Sequence, residues 1–383
     1  MKIAAMEVLP VSVPYRRSEQ SSVIDRKGVT AILVKLTADN GLIGWGECAK
    51  AASAATVIGA LDAMQPFVVG SDPWNKDALA LDLFNHGLWR CQPMTGNGAL
   101  AGIDAALWDI CGKQAGQPVY RFFGGAMRSE VDYHYYLHWA DAAGMAAQGR
   151  DGVERGYSVF YMKAGVDEAA EEAMLAALRK AIGSGKRIRI DPNEAWTVPQ
   201  AVRLANDWHR KFEIEFIEAP VRSEPADAML DVKQRIPVPL CANEGLWRDV
   251  DVLRMIRSRA ADYLCFSPVF VGTLRRFNTL AHLAHYDGML VCKHTRGELG
   301  LSAAVSQHMM LAIPNACDGN QQNAQILADD ILAERIPISE GPRWGLLDRP
   351  GLGVEVDEDK VRSYRDRFLD DGEFVPHTRK GHA

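Results

Sequence analysis

The sequence predicts an α/β fold in which a β/α barrel follows a smaller α+β domain, and three observations support this prediction. The chain has 383 residues, more than one hydrophobic core usually supports, but a suitable length for one barrel with a companion domain. From about residue 130 onward, short β-rich runs alternate with helical patterns, which indicates parallel βαβ units. At least six such runs fit into about 200 residues, and this favours a closed barrel over an open sheet.

The N-terminal part, residues 1–125, shows strand patterns followed by helical patterns instead of alternation. Residues 1–15 and 29–37 alternate apolar and polar side chains, and the turn residues Asp39-Asn40-Gly41 come directly after the second run. This arrangement is typical of an antiparallel meander. Ala- and Leu-rich stretches with helical spacing follow at 53–69, 76–90 and 98–116. The sequence therefore predicts an α+β domain here.

Residues 126–340 are predicted to form the barrel. One strand-like run begins at Val159 and ends near Gly165, and the later runs lie at 187–191, 213–218, 236–242, 262–266 and 289–293. A Gly- and Pro-rich stretch then leads into a polar tail, so that residues 341–383 form a separate C-terminal segment.

Composition excludes several classes of partner. The net charge is −6 and there is no Lys/Arg tract, so we expect neither a nucleic-acid partner nor binding to an anionic membrane surface. No run is long and apolar enough for a transmembrane helix or a signal-peptide core. The seven cysteines are scattered without a CxxC pair, which is typical of reduced thiols in a cytoplasmic protein. A small-molecule ligand is the remaining expectation.

Three acids stand at the C-terminal ends of successive predicted strands: Asp191, Glu218 and Glu244, which lie 27 and 26 residues apart. In a barrel such positions converge on one mouth, where the carboxylates would form an oxygen cage of the kind that prefers Mg²⁺ to Zn²⁺. A single acid after a strand is more often a helix N-cap. Three acids in register favour the metal site instead.

Two further groups stand at predicted strand ends. Tyr161 and Lys163 are two residues apart and therefore on the same side of one strand. Burial and a nearby metal cation both lower the pKa of a lysine, so we expect Lys163 to be a neutral base. Lys293 and His294 end a later strand, and by alternation only one of them points inward. The spacing does not choose between them, and a lone histidine is also a common core residue.

The helical stretch 101–113, followed by Pro118 and Gly124-Gly125, completes a set of motifs that resembles the enolase superfamily. Within that superfamily the chain is similar to the mandelate racemase group of sugar-acid dehydratases and racemases, over nearly its whole length. The resemblance implies a modified (β/α)7β barrel with an α+β capping domain, completed by residues 341–383. It also implies a homo-oligomer, commonly a dimer or an octamer.

The resemblance assigns roles to individual residues. It implies that the metal ligands are Asp191, Glu218 and Glu244, and that Asn193 contacts substrate or metal-bound oxygen. It identifies Lys163 with the second lysine of the family's Lys-x-Lys motif, and Tyr161 stands where the first would be. It also matches His294 with the family's catalytic histidine, and so selects His294 over Lys293.

Other positions depart from the family pattern. Ser267 stands where relatives have the aspartate that orients the histidine. Asn320 aligns with a final acid at the eighth strand end, and Asp318 is close enough to replace it as a substrate-binding group. Residues 15–28 match a mobile loop that closes the relatives' sites. Their Arg and Ser side chains would suit a polyhydroxylated anion, and these are Arg16, Arg17, Ser21, Ser22 and Arg26.

The function implied by the resemblance is abstraction of the proton α to a carboxylate, which gives an enediolate stabilised by Mg²⁺. Without an aspartate partner, His294 should hold its proton less firmly, which favours dehydration of a sugar acid over racemisation. Racemase, epimerase or cycloisomerase activity on a carboxylic acid or lactone stays open as an alternative. A non-catalytic ligand-binding barrel is a different class of function, motivated by Tyr161 and Ser267.

Overall fold

The protein is described from a computed structural model that covers residues 1–20, 25–50, 52–224 and 227–374. Ser21 and Ser22, which the sequence singled out, lie outside the described residues. Within the described part of the chain, no helix combines the length and the apolar character that crossing a membrane requires.

The N-terminal domain is an antiparallel three-stranded sheet covered by helices. Its strands pair in the order β1 (Ile3–Gln20), β2 (Asp25–Ala38) and β3 (Ile43–Ala49). The helices are α1 (Ala54–Val68), α2 (Lys76–Asn85) and α3 (Asn97–Ala115). The second helix is shorter than predicted because Gly87, at φ +123°, separates it from a 3₁₀ turn at Leu88–Arg90.

Helix α3 packs very closely on strand β3 through glycines on both elements. A Cβ at Gly46 would lie 1.9 Å from the carbonyl oxygen of Gly102, and a Cβ at Gly102 would lie 2.2 Å from Cys48 Sγ. No side chain larger than hydrogen fits at either position. The stretch that carried the family resemblance is therefore the buried centre of this domain.

The hairpin formed by β1 and β2 is longer than the sequence predicted. Residues 15–28 were expected to form a loop, but the described residues continue as strands, and Glu19 pairs with Arg26. The register shifts between Pro14 and Glu19, which is consistent with a proline in an edge strand because it lacks a backbone donor.

Two short strands flank the barrel in the chain: β4 (Glu130–Asp132) precedes it, β12 (Arg343–Gly345) follows it, and the two pair with each other antiparallel. Seven parallel strands, each bonded to the next along the chain, form its curled sheet: β5 (Tyr135–Leu137), β6 (Val159–Lys163), β7 (Arg187–Asp191), β8 (Ile214–Glu218), β9 (Leu240–Ala242), β10 (Tyr263–Phe266) and β11 (Leu290–Lys293). Strand β9 begins later than predicted because Pro237 and Pro239 lack backbone donors.

An eighth, irregular segment lies between the two edges of this sheet. Ala316 forms a parallel bridge with Val291 of β11, and Asn320 forms one with Tyr133, just before β5. Residues 316–320 thereby close the sheet on itself. The strand count, seven regular strands and one closing segment, confirms the predicted (β/α)7β barrel.

Helices connect the strands and cover the outside of the barrel. They are α4 (Ala142–Glu154), α5 (Glu168–Ile182), α6 (Val198–Phe212), α7 (Asp227–Lys233), α8 (Asp249–Ser258), α9 (Pro268–Val271), α10 (Leu274–Tyr286) and α11 (Gly300–Ala312). Helix α6 illustrates the pattern, because Leu204, Trp208 and Phe212 recur every four residues on its buried face. A Thr197–Gln200 capping box starts this helix.

The C-terminal segment returns to the N-terminal domain. Helix α12 (Glu358–Asp371) packs against β1, and Glu358 forms an ion pair with Lys35 at 2.9 Å. Ser12 Oγ donates to the carbonyl of Gly372 at 3.0 Å. These contacts hold the end of the chain on the sheet that covers the barrel.

Glu47 joins the two domains through a helix N-terminus. It lies on β3, is 3% exposed, and its two carboxylate oxygens accept from the backbone N–H groups of Leu299 and Ser302, at 2.8 and 2.9 Å, at the start of α11. Burial raises the pKa of Glu47 to about 8 despite these two donors. The domain contact therefore contains a carboxyl group that titrates near neutral pH.

We expect this group to make folding stability fall with rising pH. Glu47 ionises near its ordinary pKa of 4.5 in the unfolded chain and near 8 in the folded one, so unfolding releases a proton between these values. The wild type should lose roughly 3 kcal/mol of unfolding free energy between pH 5 and pH 8 that Glu47→Gln does not lose. Urea denaturation at both pH values measures the unfolding free energy. An equal change between pH 5 and pH 8 in the wild type and in Glu47→Gln would contradict this prediction.

Candidate functional site

The three predicted acids lie near one another at the C-terminal mouth of the barrel, but their carboxylate oxygens are not all within 4.8 Å of one another. Asp191 and Glu218 end β7 and β8 and are 0% and 1% exposed, and Glu244 follows β9 by two residues. Burial, and then the negative charge of Asp191, raise the pKa of Glu218 well above its ordinary value and that of Glu244 to about 7. Asp191 and Glu218 are buried and Glu244 is partly exposed, and the three carboxylates repel one another unless they share a cation.

Oxygen atoms that lack partners mark where such a cation fits. Asn193 Nδ2 donates to Glu244 Oε1 at 3.0 Å, but Asn193 Oδ1 and Glu244 Oε2 are buried without a hydrogen-bond partner among the described residues. A buried polar oxygen without a partner is costly, so a ligand is expected to satisfy it. Carboxylate and amide oxygens alone make up this set, which fits Mg²⁺.

Two thiols also lie near one of the acids. Ligand atoms of Glu218, Cys241 and Cys265 lie within 4.8 Å of one another. Burial raises the pKa of both thiols, so they are protonated at neutral pH, and a metal binds the thiolate. The oxygen set at the mouth is therefore the better candidate for a metal centre.

The backbone after the strands is held in an uncommon conformation. Asn193, Glu194 and Ala219 have φ values of +46°, +63° and +37°, in the left-handed region that side chains other than glycine rarely adopt. The backbone N–H of Asn193 donates to Asp191 Oδ1 at 2.8 Å, which fixes this turn. Such strain concentrates at functional sites.

Lys163 and Tyr161 share one oxygen of Asp191. Lys163 Nζ donates to Asp191 Oδ2 at 2.6 Å, and the Tyr161 hydroxyl donates to the same atom at 2.5 Å. The tyrosine ring is buried and stacks on His134 with the ring centroids 4.5 Å apart. Tyr161 therefore supplies a neutral donor to Asp191, on the same face of β6 as the lysine.

The charges of the chain hold Lys163 in its protonated form, contrary to the expectation of a neutral base. Burial lowers the pKa of Lys163, but Asp191 and Glu218 raise it by more, and it ends above its ordinary value. The prediction considered the effects of burial and of a metal cation on this pKa. The two carboxylates beside the amine, which the sequence does not place there, have the opposite effect.

Gln321 is a member of this cluster that the sequence did not reveal. Its Nε2 donates to both oxygens of Glu218, at 2.8 and 2.9 Å, and lies 3.4 Å from the Tyr161 hydroxyl. It comes directly after the segment that closes the barrel. The available signal was the alignment of Asn320 with a family acid, because the next residue is the one that faces the site.

The structure does not bring Asn320 or Asp318 to the site. Asn320 is fully buried, accepts from the backbone N–H of Lys293 at 2.7 Å, and donates to Cys317 O at 2.7 Å, so it holds the closing segment in place. Asp318 is exposed and pairs with Arg187 at 3.1 Å. Arg187 begins the strand that Asp191 ends, a separation of about 13 Å. This corrects the expected placement of both residues.

Lys293 and His294 both lie near the site, Lys293 inside the barrel and His294 just beyond the end of β11. Lys293 is the residue inside the barrel: it is 1% exposed, forms an ion pair with Glu298, and donates to Gln321 O at 3.1 Å. His294 lies just beyond the strand, so strand alternation does not exclude it. Its ring packs on Phe270 with the centroids 4.5 Å apart.

His294 has no carboxylate partner among the described residues. Its Nδ1 atom is buried without a hydrogen bond, and Ser267 is buried at the start of α9 without a bond to it. The pKa of His294 lies well below its ordinary value, first because the ring is buried. Nearby cations lower it further, namely Lys163, Arg296, Lys293 and Arg26. The ring is therefore neutral at neutral pH.

The two predicted arginines of the hairpin lie in different places. Arg26 Nη1 donates to Arg296 O at 3.0 Å, and its charge acts on His294, which puts it beside the site. Arg16 is exposed and lines a separate groove of about 790 Å³ next to Tyr135 and Trp139. None of the three acids lines that groove.

Comparison with known proteins gives matches over almost the whole chain. Residues 4–124 match the family described as mandelate racemase / muconate lactonizing enzyme, N-terminal domain, and residues 144–360 match the one described as enolase C-terminal domain-like. An N-succinyl-L-Arg/Lys racemase of Bacillus cereus is 26% identical over 368 residues, which cover 94% of this chain and 97% of the relative.

Two further matches come from Streptomyces coelicolor, one to a protein sequence and one to a solved structure. One, named "Probable glucarate dehydratase", is 30% identical over 296 residues, which cover 71% of this chain and 67% of the relative. The other is a crystal structure of an enolase, with a TM-score of 0.90, 30% identity and full coverage of both chains.

Proposed function

This chain belongs to the mandelate racemase/muconate lactonizing enzyme family of the enolase superfamily, and on that premise we propose that it is a Mg²⁺-dependent enzyme that removes the proton α to a substrate carboxylate, with dehydration of a sugar acid as the outcome. The observation that carries the proposal is the cluster of three acids at the barrel mouth, two of them buried, with Lys163 bonded to Asp191. Relatives named as racemase and as dehydratase both support chemistry at this carbon.

Asp191, Glu218 and Glu244 are the residues that would hold the ion. When bound, Mg²⁺ supplies stabilisation of the negative charge that develops on the substrate carboxylate as the proton leaves. Tyr161 orients Asp191, and Gln321 orients Glu218, each through a neutral donor. Neutral donors hold these ligands without adding positive charge that would compete with a cation.

Lys163 is the proposed base. Asp191 and Glu218 raise its pKa, whereas burial lowers it. If the charge of a bound cation balances these two carboxylates, burial becomes the larger influence on the pKa of Lys163 and lowers it. The amine can then lose its proton and accept one from the substrate. Its position on β6, beside the first ligand strand, faces it toward a substrate bound at the acids.

His294 is the proposed acid for departure of the β-hydroxyl. It follows β11, on the other side of the ligand strands β7 to β9 from Lys163, so the two residues flank the acids. Because the ring is neutral in the free protein, it has to take up a proton before it can donate one to the leaving oxygen, and the negative charge of a bound substrate would raise its pKa in that direction. Without a carboxylate partner it is a poor group for holding a proton in a reversible exchange, which supports dehydration over racemisation.

The test is ¹H NMR in D₂O with Mg²⁺, on pools of sugar acids and amino-acid derivatives, for the wild type and Lys163→Ala. We expect the α-proton signal to disappear together with formation of a keto acid, only in the wild type. Exchange without a keto acid would contradict dehydration and leave racemisation or epimerisation. No exchange in any pool would contradict the whole proposal.

Replacing Gln321 by Leu should weaken Mg²⁺ binding about tenfold, because the amide that donates to both oxygens of Glu218 is lost. Titration calorimetry with Mg²⁺ measures this. Gln234→Leu is the matched control, since Gln234 is exposed on the surface after α7. Equal affinity in Gln321→Leu and the control would show that Gln321 does not support the metal ligand.

A further inference from the structure

Two cysteines lie beside Glu218, on the two strands that follow it in the barrel. Glu218 of β8 is the parallel partner of Cys241 on β9, and Cys241 is in turn the partner of Tyr263 on β10. Cys265 stands two residues beyond Tyr263, so its side chain is on the same face of the sheet. The strand register therefore brings together one carboxylate and two thiols, from three neighbouring strands.

The three side chains are close enough to bind one ion. The ligand atoms of Glu218, Cys241 and Cys265 lie within 4.8 Å of one another, and all three residues are buried. Small side-chain movements would let a single ion contact all three atoms. Cys292 on β11 is the parallel partner of Cys265, and its thiol is within hydrogen-bond reach of the Cys265 thiol. A third sulfur atom therefore adjoins the group.

The group has the character of a cation site. A buried cysteine is often only a small apolar side chain, but two of them against a carboxylate form a mixed sulfur and oxygen donor set that apolar packing does not require. Gln321 donates to both oxygens of Glu218, and each carboxylate oxygen keeps a second lone pair for a metal. The negative charges of Asp191 and Glu244 also act on Glu218, which favours a positive ligand here.

The donor types select the class of ion. Thiolate sulfur is a soft ligand that favours Zn²⁺ and Cd²⁺, whereas Mg²⁺ takes oxygen ligands. Mg²⁺ therefore prefers the oxygens at the mouth, and the thiols matter only to a softer ion. Such an ion displaces the thiol protons as it binds, so thiols that are protonated in the ion-free protein still accept it. The ion reaches them past Glu218, which ends its strand at the mouth.

We propose that Cys241, Cys265 and Glu218 form a second cation site, for a thiophilic divalent ion such as Zn²⁺, and that this ion excludes Mg²⁺ from the mouth of the barrel. A Glu218 carboxylate bound beside the thiols is no longer available to Mg²⁺, and two divalent ions so close together repel each other. The exclusion rests on the proposed function, in which Glu218 is a Mg²⁺ ligand. The thiol site itself does not.

The test of the site uses Cd²⁺, because its bond to thiolate sulfur gives an ultraviolet charge-transfer band that its bonds to oxygen do not give. Wild type, Cys241→Ala and Cys265→Ala are titrated with Cd²⁺ after circular dichroism has shown that each is folded. Cys241→Ser and Cys265→Ser, which keep the side-chain size, replace an alanine variant that does not fold. We expect the wild type to gain the band with roughly one Cd²⁺ per chain, and each variant to lose about half of it or more.

Cys91→Ser is the control, because Cys91 is an exposed thiol of the N-terminal domain. It should keep the wild-type band. A wild type without the band, or a band that is unchanged in both Cys241→Ala and Cys265→Ala, would overturn the site. A band that is lost in Cys91→Ser would assign the bound Cd²⁺ to the surface and would overturn the site as well.

The same band measures the exclusion of Mg²⁺. Saturating Mg²⁺ should weaken Cd²⁺ binding roughly 10- to 100-fold in the wild type. Calorimetry without Cd²⁺ shows separately whether Mg²⁺ binds. Mg²⁺ that binds but leaves the affinity for Cd²⁺ unchanged would overturn the exclusion. A Cd²⁺ band in a protein that does not bind Mg²⁺ would uphold the thiol site and overturn the proposed function, together with the exclusion that rests on it.

Discussion

Replacing Lys163 by Met is expected to slow exchange of the substrate α-proton by about 10²- to 10⁴-fold, the range that a general base contributes. The same change should strengthen Mg²⁺ binding, because it removes a positive charge that lies 2.6 Å from Asp191 Oδ2. Loss of exchange together with tighter Mg²⁺ binding distinguishes a missing base from a damaged metal site. NMR exchange in D₂O and Mg²⁺ calorimetry measure the two effects.

Lys180→Met provides the control for that variant, since Lys180 is exposed on the last turn of α5. Both its exchange rate and its Mg²⁺ affinity should match the wild type. If Lys163→Met exchanged the α-proton at the wild-type rate, Lys163 would not be the base. If it lost Mg²⁺ binding, its role would be to support the ligand Asp191.

Replacing Glu218 by Gln is expected to raise stability and remove function at the same time. Without a cation the three carboxylates repel one another, and burial with the charge of Asp191 already raises the pKa of Glu218. Removal of one charge should add about 1–2 kcal/mol to the unfolding free energy in the absence of Mg²⁺. Exchange of the α-proton should fall roughly 10³-fold, because the several kcal/mol that a bound ion supplies are lost.

Urea denaturation with and without Mg²⁺ measures the stability effect. Mg²⁺ should stabilise the wild type by binding only the folded state, and should have little effect on Glu218→Gln. Glu154→Gln, an exposed change at the end of α4, should respond to Mg²⁺ like the wild type. A variant Glu218→Gln that is less stable than the wild type without Mg²⁺ would contradict the repulsion on which the metal site is argued.

The acids and Lys163 could be located from the sequence because regular strands carry them. Each follows or ends a short apolar run, and the strand ends of a barrel converge on one mouth. Their spacing in the sequence therefore predicts that these side chains lie close together in the fold. The order of the strands and the resulting mouth follow from the same repeating pattern.

Gln321 and the placement of Asp318 could not be predicted in this way. The segment 316–320 closes the barrel through isolated bridges and has no apolar run of its own. A shift of one residue moves a side chain to the other face, and that shift separates Asn320, which holds the backbone, from Gln321, which holds Glu218. The direction of each side chain in such an irregular segment can be assigned only from the folded structure.

The protonation state of Lys163 could not be predicted from the sequence either. Burial and charge act on its pKa in opposite directions, and the outcome depends on the 2.6 Å contact with Asp191. Residue type predicts which chemistry is available, but the balance of charges requires the fold.

Anomalous diffraction from crystals grown with Mn²⁺ would show directly whether Asp191, Glu218 and Glu244 hold a divalent cation at the mouth of the barrel. Mn²⁺ takes the same carboxylate and carbonyl oxygen ligands as Mg²⁺. We expect one strong anomalous peak within coordination distance of all three carboxylates, and its absence in Glu218→Gln. A wild-type crystal with no peak there, or with its only peak elsewhere, would show that these three residues do not hold the ion.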